Sequence, residues 1–424
     1  MQEDNKTIIN ASVLGKVFEK INGYKDGSVF TPAFITMYMC KQSIRLAVVE
    51  KFNTHCLNQG LQDLKINKIE DVYELIPNKI DRKQANDIIN SLKICDPAVG
   101  SGHFLVSALN EIIAVKSELG ILIDEKGKTL RDYEIEIVND ELIITDENGN
   151  IIAYNPKNVE SNRVQKTLFQ EKQTIIENCL FGVDINPNSV KICRLRLWIE
   201  LLKNAYYKEE TNYTELETLP NIDINIKCGN SLLSRFPLDA DLSKALKSIK
   251  YDVKAYRGFV NDYKNEKSRE VKRGLQKIID SIKSDFRTEI GNNDPKQIKL
   301  SKLSGDLYNL LNQGKLFELD NKQKKLQKEK QVKLEADINK LSKEIEEIKG
   351  NVIYKNAFEW RFEFPEVLNN NGDFEGFDLV IGNPPYIRHE EIKHLKPQLE
   401  NDFTIFNSSA DILTYFFEIG RAHV

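Results

Sequence analysis

The stretch that most restricts how this chain can fold is Phe377–Arg388, FDLVIGNPPYIR. Phe377, Leu379, Val380 and Ile381 form a short apolar run that Gly382 ends, the pattern of a buried parallel strand. Asn383, Pro384, Pro385 and Tyr386 follow at once. Two consecutive prolines have no N–H and fixed φ, so they cannot extend a sheet ladder. The backbone must leave the sheet rigidly at its carboxyl edge, where open α/β sheets bind ligands. It presents an amide, a proline carbonyl and an aromatic ring there. The Asn383 side-chain oxygen and the Pro384 carbonyl can each accept one hydrogen of an exocyclic amino group. Tyr386 can stack on the ring that carries it. Such a site would act by positioning and preorganised dipoles, without a base of unusual pKa. The plain alternative is a strand-ending turn.

A second informative stretch is Ile94–Leu105, ICDPAVGSGHFL. A short strand ends at Asp96, the small residues Pro97, Ala98, Gly100 and Gly102 shape a loop, and an apolar helix begins near His103. The two glycines permit close backbone approach to a ligand or positive φ. The loop is neither G-x-G-x-x-G nor a P-loop, since it lacks G-K-[ST], and ATP hydrolysis is disfavoured. The next predicted core strand, Cys179–Asp184, ends in an acidic residue, where sheets of this kind hold ribose hydroxyls; Asp184, followed by Ile185, can equally be a helix N-cap. A helix is predicted over Ser189–Leu202. A spacing of 88 residues from Asp96 to Asp184 exceeds the usual ~20. An inserted β-meander over 121–157, read from period-2 alternation and the turn at Asn148-Gly149, explains the excess together with a return helix near Ser161–Glu177. A third strand is predicted over Ile222–Cys228, ended by Gly229, Asn230 and Ser231.

Upstream, residues 8–24 have the spacing of a short amphipathic helix, and a longer apolar helix runs from Ala33 to about Phe52. Thr31 and Pro32 suit its N-cap and first helical position, or aim a helix N-terminus at an anionic group. Residues 53–91 read as helical and polar. Residues 240–350 are rich in Lys and Glu, and Leu334, Ile338, Leu341, Ile345 and Ile348 repeat at heptad spacing, which predicts a short coiled coil or helical hairpin. The expected organisation is a helical region over 1–91, a core over 92–239 and 351–424, and the helical insertion between.

The 424 residues suffice for two or three domains, and 41% hydrophobic content supplies a sizeable core. A net charge of −4 gives no global pull towards nucleic acid, so any DNA-binding face must be local or lie outside this chain. The six cysteines include no CxxC pair and read as reduced core thiols, and neither they nor the five histidines have metal-ligand spacing. Met1–Asn5 cannot begin a signal peptide, no apolar run is long enough for a membrane span, and a soluble cytoplasmic protein is expected. Asp411–Glu418 starts a good helix just before the sequence stops at Val424, and the last seven residues, EIGRAHV, match a sequencing-adapter read-through. A C-terminal truncation is therefore expected.

Taken in order, these pieces resemble the gamma-class amino-methyltransferases that methylate adenine N6 in DNA, and most of all the methylase region of type IIG restriction–modification enzymes. The likeness covers most of the chain outside the β-meander and the 240–350 helices. Thr31-Pro32 is similar to motif X, Asp96–Gly102 to motif I, Asp184 to the ribose-binding acid, Asn230 (often Asp in the family) to motif III, Asn383–Tyr386 to the catalytic motif IV, and Asp411–Phe417 to the start of motif V. The resemblance implies a Rossmann-like, seven-strand-type α/β sheet, S-adenosyl-L-methionine as cofactor, double-stranded DNA as partner and no metal for methyl transfer. It implies cofactor contacts from Thr31, Pro32, Asp96, Pro97, Ala98, Gly100, Gly102, Asp184, Ile185, Asn230 and Ser231. Catalysis would fall to Asn383, Pro384, Pro385 and Tyr386 on a flipped-out adenine. The family's recognition domain lies after the methylase motifs, so a recognition domain, or a specificity or nuclease partner, is expected outside this chain. No metal-nuclease pattern precedes Thr31, and cleavage by this chain is not predicted. Methylation of a protein glutamine or of cytosine N4, and an inactive cofactor-binding scaffold, remain as alternatives.

Overall fold

The computed structural model describes residues 31–61, 65–76, 78–220, 222–234, 251–266, 268–293, 295–316, 321–350 and 356–422. The amphipathic helix expected over 8–24 lies outside them. The chain divides into two compact units, one of residues 1–232 with 375–424 and one of residues 233–374.

In chain order the elements begin with α1 (Ala33–Asn58), α2 (Ile69–Leu75), α3 (Arg82–Asn90), β1 (Ile94–Asp96) and α4 (His103–Glu118). Then come β2 (Tyr133–Val138), β3 (Glu141–Asp146), α5 (Val159–Asn178), β4 (Leu180–Asp184), α6 (Pro187–Leu202) and β5 (Ile226–Cys228). The helices α7 (Val253–Asn265), α8 (Arg269–Asn293), α9 (Pro295–Leu316), α10 (Asn321–Gly350) and α11 (Trp360–Glu363) follow. The chain closes with β6 (Leu379–Val380), α12 (Lys396–Asp402) and α13 (Ile412–Ala422).

The first unit is a mixed α/β domain around a parallel sheet of order β5-β4-β1-β6. Ile94 of β1 stands opposite Leu180 of β4 on one side and Leu379 of β6 on the other, and Asp184 stands opposite Cys228. All four strands point the same way, so Asp96, Asp184, Cys228 and Val380 end on one edge. The chain winds from β1 towards β4 and β5, then returns to the other side of β1 as β6. The crevice between β1 and β6 is thus the switch point where such sheets take ligands. Four strands pair here among the described residues, against the seven-strand type expected. The third strand is shorter than the alternation predicted, because Asp223–Asn225 form a turn. β6 departs from the fully buried strand expected: Phe377 and Ile381 are buried, but Leu379 and Val380 are half-buried, as β6 is the edge strand.

α4 is buried along nearly its whole length, so it forms the centre of the helical layer. α1 packs on it through Thr36, Cys40, Ile44, Ala47 and Val48, which recur every three to four residues and form one apolar face. Thr36 and Ser107 share a 2.8 Å hydrogen bond across this contact. β2 and β3 pair as an antiparallel hairpin. Its tight turn is Asn139-Asp140, both at positive φ, and the Asn148-Gly149 turn follows β3 and leads into an antiparallel bridge of Thr145 with Ile151. The Asp140 carboxylate accepts a 2.9 Å bond from Ser107 and is held up at about 6, chiefly by burial and against the Ser107 bond. Five of the six cysteines are buried free thiols; Cys228, read as a core thiol, is exposed because its side chain follows the end of edge strand β5.

The second unit is built on helices. Tyr256 of α7 donates to the Phe362 carbonyl of α11 (2.6 Å), and Phe358, Trp360 and Phe364 stack edge-on and tilted beside it. α10 packs on α9, with Gln327 donating to the Leu310 carbonyl at 2.7 Å. Leu341 of the heptad series is buried, and Leu334, Ile338 and Ile345 are half-buried. No helix among the described residues is long and apolar enough to cross a membrane.

Candidate functional site

The loop after β1 is shaped by bonds to β4. The Val99 N–H donates to the Val183 carbonyl, and the Gly100 N–H donates to Asp184 Oδ2, both at 2.9 Å. Gly100 and Gly102 lie at positive φ, which the sequence anticipated from their lack of Cβ. At Gly102 a Cβ would also stand 2.6 Å from Cys193 Sγ, so the loop and α6 touch only because the position is bare. Asp184 is not the helix N-cap. Its Oδ1 accepts from the Asn186 N–H (2.7 Å), and Asn186 caps α6 instead by accepting from Asn188. Asp184 therefore braces the glycine loop and opens the β4 edge. Ile185 beside it is exposed.

The end of β5 closes on the same loop. Ser231 donates to the Pro97 carbonyl at 2.7 Å, and Asn230 accepts from the Leu232 N–H at 3.1 Å. Asp96, Pro97, Ala98, Gly100, Gly102, Asp184, Ile185, Asn230 and Ser231 are thus gathered at one edge of three adjacent strands. Arg196 was missed. It is fully buried on α6 and donates to the Ser101 carbonyl at 3.0 Å, beneath the loop. Its only trace in the sequence is an arginine in an otherwise apolar helical period.

Asp96 is buried, and its carboxyl is pushed up to about 8, first by burial and further by nearby Asp184, against the bond from the Ala98 N–H (3.0 Å). A buried acid at a glycine loop, with a second acid across the strand gap, suits a ligand carrying a cationic group and vicinal hydroxyls.

On the other side of β1, the Ile381 N–H donates to the Cys95 carbonyl at 2.9 Å, and the chain leaves the sheet at Gly382. Asn383, Pro384 and Pro385 are half-buried, and Tyr386 is 57% exposed. The loop is held from behind by the Ile412 N–H to the Ile387 carbonyl (3.1 Å) and by Asp411, which accepts from the His389 N–H (2.8 Å). The Asn383 amide nitrogen donates to Thr31 Oγ1 at 2.9 Å, across 352 residues of sequence. Among the described residues, neither Asn383 Oδ1 nor the Pro384 carbonyl takes part in any hydrogen bond. Thr31 is not the N-cap of α1, and Pro32 is not its first helical residue. Pro32 occupies the N-cap position of α1 without a side-chain cap bond, and Thr31 is turned to Asn383. Pro32 cannot continue extended pairing and its φ of −57° fits the helix entry, which frees the preceding hydroxyl.

The sequence matches known proteins along most of its length. Residues 74–238 match the DNA-methyltransferase domain of MmeI. A putative type II restriction enzyme and methyltransferase of Methanocaldococcus jannaschii is 27% identical over 416 residues, covering 89% of this chain and 30% of that protein. The type II restriction enzyme and methyltransferase Eco57I of Escherichia coli is 29% identical over 147 residues, 35% of this chain and 12% of that protein. The chain thus spans about a third or less of the length of these relatives. Residues 178–423, more than half of the chain, match the Eco57I restriction-modification methylase family, and the chain belongs to that family.

Proposed function

We propose that this chain is the methyl-transferring part of a type IIG restriction–modification enzyme and methylates adenine N6 in duplex DNA, with S-adenosyl-L-methionine as donor. The observation that carries this reading is the pair of uncommitted acceptors, Asn383 Oδ1 and the Pro384 carbonyl, on a proline-stiffened loop beside the β1 edge. The loop of Asp96–Gly102, with Asp184, Ile185, Asn230 and Ser231, would hold the cofactor. Asp96 would face its cationic amino group and Asp184 its ribose hydroxyls, with Thr31 and Pro32 near its carboxylate. When bound, the cofactor supplies an electrophilic methyl on its sulfonium sulfur.

Asn383 Oδ1 and the Pro384 carbonyl then accept the two N6 hydrogens of a base turned out of the duplex. Holding both hydrogens turns the nitrogen lone pair out of the ring plane, towards the methyl. Pro385 keeps the loop stiff, and the exposed Tyr386 ring stacks on the base. The donor would supply the methyl and keep the S–C electron pair on its sulfur, and N6 would lose one proton to solvent while Asn383 Oδ1 and the Pro384 carbonyl hold the amine. This is acceleration by positioning and fixed dipoles. Sequence readout and any cleavage would fall to the parts of the longer relatives that this chain does not span, or to a partner. The setting would be cytoplasmic DNA restriction or phage defence.

The reading is tested by incubating the chain with unmethylated DNA and labelled S-adenosylmethionine, then resolving the digested nucleosides. N6-methyladenine from wild type and none from Asn383→Ala, with cofactor binding retained, is the expected result. N4-methylcytosine would move the assignment to the other exocyclic amine. Label on protein and none on DNA would overturn it.

A further inference from the structure

We propose that Thr31 is a positioning residue that fixes which end of the Asn383 amide faces the target amine. The inference rests on the reading of Asn383 as the acceptor for an exocyclic amino group. A primary amide is nearly symmetric in shape but opposite in hydrogen-bonding character at its two ends. Turned one way, Asn383 offers an oxygen that receives the amino hydrogens. Turned by 180°, it offers an NH₂ that repels them and leaves the nucleophile unheld. The proline pair stiffens the backbone but does nothing to choose between these two side-chain states, which differ by a single χ2 rotation.

Thr31 makes that choice when its own proton is given to another acceptor. Its Oγ1 accepts from Asn383 Nδ2 at 2.9 Å, and this is the one hydrogen bond to the Asn383 side chain among the described residues. The donor end is thereby committed and Oδ1 is left open. A threonine hydroxyl has one proton and two lone pairs, so it could also donate to Oδ1; with its proton given elsewhere, as to the cofactor carboxylate that the functional reading places near Thr31 and Pro32, it is an acceptor for Nδ2 alone. Pro32, at φ −57° and ψ 141°, anchors the segment at the start of α1, so the hydroxyl is carried by a rigid helix entry and not by a loose tail. The role differs from cofactor contact at the same residue: it acts on the base-side amide and through it on the chemical step.

The experiment compares wild type with Thr31→Val, which keeps the shape and deletes the hydroxyl, and Thr31→Ser, which keeps the hydroxyl. Three quantities are read on the full chain: cofactor Kd by calorimetry, the single-turnover rate of methyl transfer at saturating cofactor, and the Asn383 side-chain amide ¹⁵N–¹H resonances, identified by their loss in Asn383→Asp. Thermal melts establish that the variants are folded. The expected result is a rate lowered about tenfold in Thr31→Val, near what one hydrogen bond to a neutral group supplies. The rate is read at saturating cofactor, so any change in Kd is separated from it; the amide resonances shift, and Thr31→Ser restores both rate and resonances. An unchanged rate and unchanged resonances in a folded Thr31→Val would overturn the proposal. So would a weakened cofactor Kd with an unaltered rate at saturation, which would make Thr31 a cofactor contact alone. If wild type transfers no methyl to DNA, the functional reading fails by itself, and the amide resonances still decide whether Thr31 holds Asn383. Should Thr31→Val not fold, Thr31→Ala read against Thr31→Ser carries the same comparison.

Discussion

Gly382 rests its bare α-carbon against the carboxyl group of Asp96. A Cβ built at position 382 would stand 3.0 Å from Asp96 Cγ, with Oδ1 nearer still. The ends of β1 and β6 approach this closely only because one side has no side chain. The acid of the glycine loop and the start of the Asn383 loop are therefore in direct contact.

Gly382→Ala is expected to destabilise the chain by about 1–3 kcal/mol, the usual cost of overpacking a filled interior. Asp96 is short, buried and held by the Ala98 N–H, so it cannot swing aside. Denaturant melts check the stability. Cofactor titration should show weaker binding as well, since the displaced group is Asp96 itself. A variant as stable as wild type would mean that β6 shifts freely as an edge strand.

The pH dependence follows from Asp96. Its folded carboxyl titrates at about 8, above the ~3.9 of an unfolded Asp. Between these values the folded chain holds the extra proton, so the contribution of Asp96 to stability is fully present below about pH 4 and is lost as pH rises through about 8. Relative to Asp96→Asn, wild-type stability should fall across that window. A cationic ligand against Asp96 favours the ionised form, so its affinity should rise with pH up to about 8, by at most about tenfold per unit. Calorimetry in buffers of different ionisation enthalpy should register proton release on binding. A pH-independent affinity for both wild type and Asp96→Asn would remove Asp96 from the cofactor pocket.

Asp184 has both oxygens engaged by backbone N–H groups, at Gly100 and Asn186. Asp184→Ala should therefore loosen the glycine loop as well as delete an acceptor for the ligand. Cofactor binding is expected to weaken tenfold or more, at least about 1.4 kcal/mol. Asn383→Ala, on the far side of β1, should leave the same titration unchanged, and that contrast separates the two halves of the site.

Tyr386 exposes more than half of its surface. If its ring stacks on the target base, Tyr386→Phe should keep most of the methylation rate. Tyr386→Ala should lose about 1–3 kcal/mol of base stacking, read as a raised KM for DNA. Equal effects of both variants would point to the hydroxyl instead of the ring.

The parallel sheet and its ligand edge were legible because short apolar runs ending in Asp96, Asp184 and Gly382 carry the strand signal and the site signal in the same few residues. The Thr31–Asn383 bond was not legible, since a contact between residues 352 apart leaves no local pattern. Thr31 before a helix reads as a cap on local grounds, and only the fold shows it turned elsewhere. The turn at Asn139-Asp140 left no local signal for a related reason. Asn148-Gly149 has the standard turn composition and turns the chain after β3, whereas Asn139-Asp140 adopts positive φ without a glycine and is backed by bonds that Ser107 and Asn110 of α4 donate to Asp140. Tertiary support overrode local preference there.

The interposition of residues 233–374 between β5 and β6 has a consequence for synthesis on the ribosome. The strand β1 is flanked by β4 on one side and β6 on the other, but β6 emerges only after that whole second unit. At ordinary elongation rates the open edge of β1 waits on the order of ten seconds for its neighbour. During that interval its unpaired backbone groups are a template for any passing strand. The nascent chain therefore needs either early folding of the second unit, which would shorten the effective loop to be closed, or a chaperone covering that edge until Asn383 has left the exit tunnel.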